Sequence, residues 1–163
     1  GEYHGYRPEH LGRARSRLAS LAGIDRFIYL VGDSTLDNKY WFRSKGKILN
    51  GFEHVLQPGG KMSRDVAYWF NEKAAHRSLN VATLCAAGEE STSWDRRHRL
   101  LPQDEFVRDV VTEDDVIVIS VGGNDVALNP TVCTALAMAA LLCQKSHQAK
   151  PRRRRPCKDH RPA

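Results

Sequence analysis

Apolar positions along the chain are concentrated in a few uninterrupted blocks, and three of these blocks predict strands. Residues 27 to 32, 80 to 85 and 116 to 121 are dominated by branched, aromatic and small apolar side chains. Runs of this kind are typical of parallel strands that are buried on both faces, whereas a strand with one wet face alternates polar and apolar residues. We therefore expect three buried strands.

Between the strands, apolar residues recur at helical spacing. The pattern predicts helices over 9 to 22, about 64 to 76, a shorter segment opened by Pro102, and 131 to 146. Gly23 provides a stop for the first helix and Ser63 a candidate N-cap for the second, in which Trp69 and Phe70 belong to a broad apolar surface. The last helix is apolar nearly all round, so we expect protein to cover it. Alternating strands and helices predict a parallel sheet with right-handed crossovers.

The first strand ends in a polar turn that contains a serine. Gly32, Asp33 and Ser34 follow the apolar run directly, and Asp37 and Asn38 come three and four residues after the serine. Gly32 permits a tight turn, and the polar side chains that follow are turn and helix-capping groups. A serine at the carboxyl end of a parallel strand is placed to act as a nucleophile.

The third strand ends in a second polar turn, formed by Gly122, Gly123, Asn124 and Asp125. An asparagine amide at a strand end can donate a hydrogen bond to a developing oxyanion, and removing one such donor typically slows catalysis roughly 100- to 1000-fold.

These two turns resemble signature blocks of the SGNH (GDSL-like) hydrolases, whose catalytic serine lies in a Gly-Asp-Ser turn. The resemblance implies an α/β fold of the flavodoxin-like kind, a three-layer parallel sheet with helices on both faces. It further implies that Ser34 attacks a small ester substrate. The oxyanion would then be held by Asn124, by the Ser34 N–H and by a backbone N–H of the turn that follows the predicted strand over 80 to 85. Gly88 is the candidate for that last donor, and Ala86 or Ala87 are alternatives.

The block that carries the base in this family, Asp-x-x-His, is absent after Asp125. Asp159 and His160 are adjacent in the chain and are poorly spaced for a hydrogen-bonded relay to Ser34. His54, His98 or His147 could replace the base only through proximity in the folded chain. We therefore expect residues 1 to 149 to be an SGNH-like domain that is incomplete at its C-terminus and has little or no esterase activity.

The net charge comes from the C-terminal segment. The chain carries +6, and residues 150 to 163 hold seven Lys or Arg against one Asp, which leaves 18 basic and 18 acidic residues elsewhere. We expect this Pro- and Arg-rich segment to be a disordered tail, arising from a different reading frame, a splice variant or a truncation. Weak, non-specific binding of nucleic acid or acidic surfaces by the tail is a further possibility.

Cysteines and histidines show no metal-binding spacing. Cys85, Cys133, Cys143 and Cys157 form no Cys-x-x-Cys pair, and the first three fall in predicted core elements, which favours buried free thiols in a reducing, cytoplasmic compartment. We expect no metal, no cofactor and no membrane-spanning segment. Two functions remain open: an SGNH-type ester hydrolase, or a non-catalytic, truncated or pseudo-enzyme module that retains the two turns for structural reasons.

Overall fold

The computed structural model describes residues 5–37, 43–88, 91–127 and 130–143. These residues form two compact units, one ending at Pro130 and the other beginning at Thr131. The first unit is an α/β structure built around a three-stranded parallel sheet. The predicted domain boundary between 149 and 150, and the whole predicted tail, lie outside the described residues.

The sheet consists of β1 (Arg26–Gly32), β4 (Val81–Cys85) and β5 (Val116–Ser120), in the order β4-β1-β5. β1 is central and pairs in parallel with both neighbours. The three predicted strands are therefore confirmed within one or two residues at each end. Because all three strands run in the same direction, their carboxyl ends lie at the same edge of the sheet.

Helices cover both faces of this sheet. The helices of the first unit are α1 (Pro8–Ala22), α2 (Val66–His76), α3 (Pro102–Val110) and the short α4 (Gly123–Ala127). One buried cluster joins Leu18 of α1 and Val107 of α3 to Phe27, Tyr29 and Leu84. A second cluster joins Ala67 of α2 to Leu30 and Cys85. Alternate residues of a strand point to opposite faces, which is why neighbouring residues of β1 enter different clusters.

The segment between β1 and α2 contains small elements that the sequence pattern did not predict. β2 (Lys45–Gly46) and β3 (Met62–Ser63) pair as a small antiparallel sheet with two residues in each strand. A short 3-10 helix, Phe52–His54, lies between them in the chain. The prediction that Ser63 caps α2 was wrong, because Ser63 is part of β3. Asp65 is the N-cap, and its carboxylate accepts a 2.9 Å hydrogen bond from the Tyr68 N–H.

Burial differs from the sequence expectation in three places. β5 is mostly exposed, whereas β4, which is also an outer strand of the sheet, is mostly buried. Trp69 and Phe70 of α2 are 46% and 38% exposed, so they do not belong to the core. Cys133 is exposed whereas Cys85 is buried, and both are free thiols.

The second unit is described through α5 (Val132–Cys143), which lies inside the predicted helix over 131 to 146. Its apolar residues Val132, Leu136 and Leu141 are each at least 65% exposed. In the described ranges, no helix combines the length and the apolar character that crossing a membrane requires.

Candidate active site

The predicted site residues follow the carboxyl ends of the three parallel strands. Ser34 comes two residues after β1 ends, Gly88 three residues after β4 ends, and Asn124 lies in α4, just after β5. Hydrogen bonds between the three turns hold them together at one edge of the sheet, and they centre on Gly32 and Asp33.

Asp33 connects the first turn to the third. Its side chain is fully buried, and one carboxylate oxygen accepts from the Thr35 N–H at 3.0 Å and from the Thr35 hydroxyl at 2.7 Å. The other oxygen accepts from the Gly123 N–H at 3.0 Å, and the Asp33 N–H itself donates to the Ser120 carbonyl at 3.0 Å. Asp33 therefore accepts hydrogen bonds from both turns.

Ser34 is half-buried in the turn that Asp33 braces. Within the described ranges, neither its hydroxyl nor its backbone N–H makes a hydrogen bond. Both groups are thus available to a ligand. Asp37 is fully buried, and its N–H donates to the Asp33 carbonyl at 3.3 Å. Asn38, the other predicted supporting residue of this turn, lies outside the described residues.

The second turn is bonded directly to the first. The Gly88 N–H donates to the Gly32 carbonyl at 2.8 Å, and the Ala86 N–H donates to the Leu30 carbonyl at 2.8 Å. Of the three candidate donors, Ala87 alone has an N–H that bonds to no residue of the described part. In this structure Gly88 therefore joins the β1 and β4 ends.

Asn124 is buried in α4 and faces the second turn. Its side-chain amide donates to the Ser91 carbonyl at 2.9 Å, and the residue is 6% exposed. Gly122, at φ +113°, makes the sharp entry to this helix, where the Gly123 N–H reaches Asp33. The Asn124 amide therefore joins the third turn to Ser91, which follows the second turn.

Asp125 ties the third turn to residues that follow the second. Its two carboxylate oxygens accept from the Ser93 N–H at 2.8 Å and the Ser93 hydroxyl at 2.6 Å. These hydrogen bonds hold the pKa of Asp125 below its usual range. A carboxylate engaged in this way is a positioning group rather than a base for Ser34.

Arg96 is a residue of the site that sequence reasoning missed. Its guanidinium donates to the Gly32 carbonyl at 2.8 Å, to the Ser91 hydroxyl at 2.6 Å and to the Asp104 carboxylate at 2.9 Å. The Arg96 and Asp104 side chains are only 12% and 6% exposed, so the pair is largely shielded from water. No spacing rule links residue 96 to a strand end, and the basic residues around it are typical of a solvated turn.

No described histidine contacts Ser34. His54 ends the 3-10 helix, where its carbonyl accepts from Arg17, and the ring of His98 meets Trp94 edge-on. His147, Asp159 and His160 lie outside the described residues. No metal-binding group of His, Cys, Asp and Glu side chains occurs in the part of the chain that the structure covers.

Comparison with known proteins gave no match. No family model matches the chain, and neither a curated protein nor a solved structure resembles it significantly.

Proposed function

We propose that the chain carries the nucleophile and oxyanion-binding part of an SGNH-type ester hydrolase. Asp33 carries the proposal, since its carboxylate bonds both the turn that holds Ser34 and the N–H of Gly123, next to Asn124. The parallel sheet with helices on both faces supports the flavodoxin-like, three-layer fold that the proposal implies.

In the proposed reaction, Ser34 Oγ attacks the carbonyl carbon of a small ester and loses its proton to a base. The carbonyl oxygen becomes an oxyanion, which the Ser34 N–H and the side-chain amide of Asn124 stabilise. Gly88 joins these donors if its N–H exchanges the Gly32 carbonyl for the oxyanion. Collapse of the intermediate then expels the alcohol and leaves an acyl group on Ser34.

Turnover by this chain is expected to be slow. A serine hydroxyl is a weak nucleophile at neutral pH without an adjacent base, and Ser34 has no histidine partner among the described residues. The proposal thus separates two properties, a reactive serine next to oxyanion donors and efficient proton transfer, and assigns the first to this chain.

A specific observation favours a second candidate, a non-catalytic module. The Gly88 N–H and one Asn124 amide hydrogen are both bonded to backbone carbonyls, as expected where turns persist for structural reasons. The basic segment from 150 to 163 would then bind nucleic acid or another acidic partner, with an affinity that falls steeply as salt rises.

A fluorophosphonate probe distinguishes the two candidates. In the hydrolase proposal, Ser34 Oγ displaces fluoride from phosphorus, and mass spectrometry of the full chain locates the adduct on Ser34. Ser34→Ala abolishes labelling, and Asn124→Ala slows it roughly 100-fold. Ser20→Ala serves as a control, because Ser20 is an exposed residue of α1. A short-chain p-nitrophenyl ester should give at most one burst of product.

Absence of the Ser34 adduct would contradict the hydrolase proposal. Equal labelling rates with and without Asn124→Ala would contradict the oxyanion role alone. Nucleic-acid binding that weakens with salt and disappears on deletion of residues 150 to 163 would support the second candidate instead.

A further inference from the structure

A cavity of about 260 Å³ lies at the outer edge of β4, apart from Ser34. His10, Leu11 and Ala14 of α1 form one wall, and Ala67 and Asn71 of α2 form the opposite wall. The segment between the 3-10 helix and β3 supplies the third wall. The cavity is slightly smaller than the roughly 300 to 1,000 Å³ of most ligand pockets, so it suits a small molecule.

Most of the cavity wall is apolar. Leu11, Ala14, Phe52, Val55, Leu56 and Leu84 line it. The polar side chain of Asn71 does not compete for a ligand, because it is bonded to the Thr83 N–H at 2.9 Å and to the Thr83 carbonyl at 3.0 Å. The interior therefore favours an aliphatic body over a polar one.

Two basic residues, Lys61 and His10, line the cavity. Within the described ranges, neither the Lys61 ammonium nor the His10 ring makes a side-chain hydrogen bond or ion pair. Lys45, which does not line the cavity, donates to the hydroxyl of the lining residue Ser63 at 2.7 Å. Asp65 is the single carboxylate among the lining residues. It is 8% exposed and accepts from the Tyr68 N–H at the start of α2. Lys61 is therefore the lining residue that offers a positive charge to a ligand.

We propose that this cavity binds a small amphipathic anion, an aliphatic carboxylate of medium length, with its chain against the apolar wall and its carboxylate on Lys61. A charged partner gives the ligand a fixed orientation, and the apolar wall supplies most of the binding free energy. This binding site is separate from Ser34 and does not depend on ester hydrolysis.

The test measures binding of octanoate, 1-octanol, octylammonium and acetate to the full chain by two-dimensional NMR titration. Octanoate should bind saturably and shift the amide signals of Leu56, Ala67 and Leu84. Octanol should bind about tenfold more weakly, since it lacks the charge-assisted hydrogen bond to Lys61. Acetate, which has no chain, should not saturate.

Variants separate the contribution of Lys61 from that of the apolar wall. Lys61→Met should weaken octanoate binding about tenfold and leave octanol binding unchanged. Lys73→Met is the matched control, because Lys73 is an exposed lysine of α2 that does not line the cavity. Ala14→Phe should fill the cavity and remove binding of octanoate and octanol alike, with circular dichroism verifying that the variant is folded.

Three results would overturn the proposal. Octanoate that does not saturate would show that there is no site. Octylammonium that binds as tightly as octanoate would show that Lys61 does not favour an anion over a cation. Unchanged octanoate binding by a folded Ala14→Phe variant would place the binding elsewhere on the chain.

Discussion

Asp33 and Gly32 determine how the first turn meets its neighbours. Asp33 accepts three hydrogen bonds through its carboxylate, and Gly32 offers its carbonyl to both Gly88 and Arg96. At φ +137°, Gly32 has a backbone conformation that side chains rarely adopt. A Cβ at this position would collide with the Ser120 carbonyl of the adjacent strand. The glycine of the Gly-Asp-Ser turn is therefore required by packing as well as by conformation.

Gly32→Ala is expected to destabilise the fold strongly. The backbone conformation alone costs about 1–3 kcal/mol for a residue with a side chain, and the collision with Ser120 adds to that cost. Urea unfolding measures the loss. Gly59→Ala is the control, because Gly59 also has a positive φ, of +77°, but a Cβ added there would meet no atom within 4 Å. Its cost should remain at about 1–2 kcal/mol. Equal losses for both variants would contradict the packing argument.

The hydrogen bonds from Ser93 set the pKa of Asp125. Ser93 lowers its pKa in the folded chain, so ionised Asp125 favours the folded state above the unfolded pKa, and this contribution disappears as pH falls through the folded pKa. In ¹³C NMR, Ser93→Ala should raise the Asp125 pKa toward its ordinary value of 3.8. The pKa of Asp109, lowered by Arg108, should not change. An Asp125 pKa that is unaffected by Ser93→Ala would show that the bond does not persist in solution.

At the scale of elements, the two outer strands of the sheet have different edges. Along β4, the Asn71 amide bonds both the N–H and the carbonyl of Thr83, and the Asn50 amide bonds the Val81 carbonyl at 3.0 Å. These side chains take the place of a neighbouring strand. In the described part of the chain, β5 has no comparable cover on its outer edge. One edge is thus closed by side chains from outside the sheet, which protects it from pairing with other chains.

Asn71→Leu should open this closed edge. The substitution leaves two buried backbone groups of Thr83 without partners, at about 1–3 kcal/mol for each group. Urea unfolding measures the total loss in the free energy of unfolding. Faster hydrogen exchange at the Thr83 amide should show that the loss arises at this residue. Asn80→Ala is the control, since Asn80 is exposed and its side-chain amide donates to the Gly23 carbonyl rather than to a strand. Unchanged exchange at Thr83 would contradict the role assigned to Asn71.

Arg96 performs a related task for the turns, because it joins the end of β1 to the second turn and to α3. Arg96→Met should cost about 3–5 kcal/mol, since it leaves the Asp104 carboxylate buried without its partner. It should also slow labelling of Ser34 by the fluorophosphonate probe. Addition of Asp104→Asn should restore part of the stability but not the labelling rate.

Arg97→Met provides the comparison for Arg96. Arg97 is exposed and stacks on Trp94 at 4.8 Å, an interaction worth about 0.5–1 kcal/mol at such sites. Similar losses for the two arginines would show that Arg96 contributes no more than a surface charge.

For the molecule as a whole, the sequence predicts the strands, the parallel sheet and the position of Ser34 well. Continuous apolar runs and a Gly-Asp-Ser turn each depend on residues that are neighbours in the chain, so they can be recognised in the sequence. The small antiparallel sheet of β2 and β3 escapes prediction because each strand has only two residues. Arg96 escapes because its partners, Gly32 and Asp104, are distant in the chain. The exposure of β5 escapes prediction because an apolar run reports hydrophobicity and not whether other elements cover the faces of the strand.

The exposed edge strand has a consequence for solution behaviour. Ile119 is 68% exposed on β5, which is paired on one side only among the residues that the structure describes, and an apolar strand of this kind promotes association. Light scattering should show association that grows with concentration and that Ile119→Lys reduces. Leu21→Lys, at an apolar α1 residue that is 59% exposed, should have little effect. Equal effects of the two substitutions would assign association to general hydrophobicity rather than to the edge of β5.

The central position of β1 also bears on how fast the site can form. Phe27 bonds Asp115 across 88 positions of the chain, and Asp33 bonds Gly123 across 90. Contacts between such distant residues require the closure of a long loop, and folding slows as such contacts come to dominate. Compact folding intermediates that hold only β1, α2 and β4 would contain Ser34 without Asn124. Reactivity of Ser34 toward the probe should therefore be gained late in refolding, after most of the helix signal has returned.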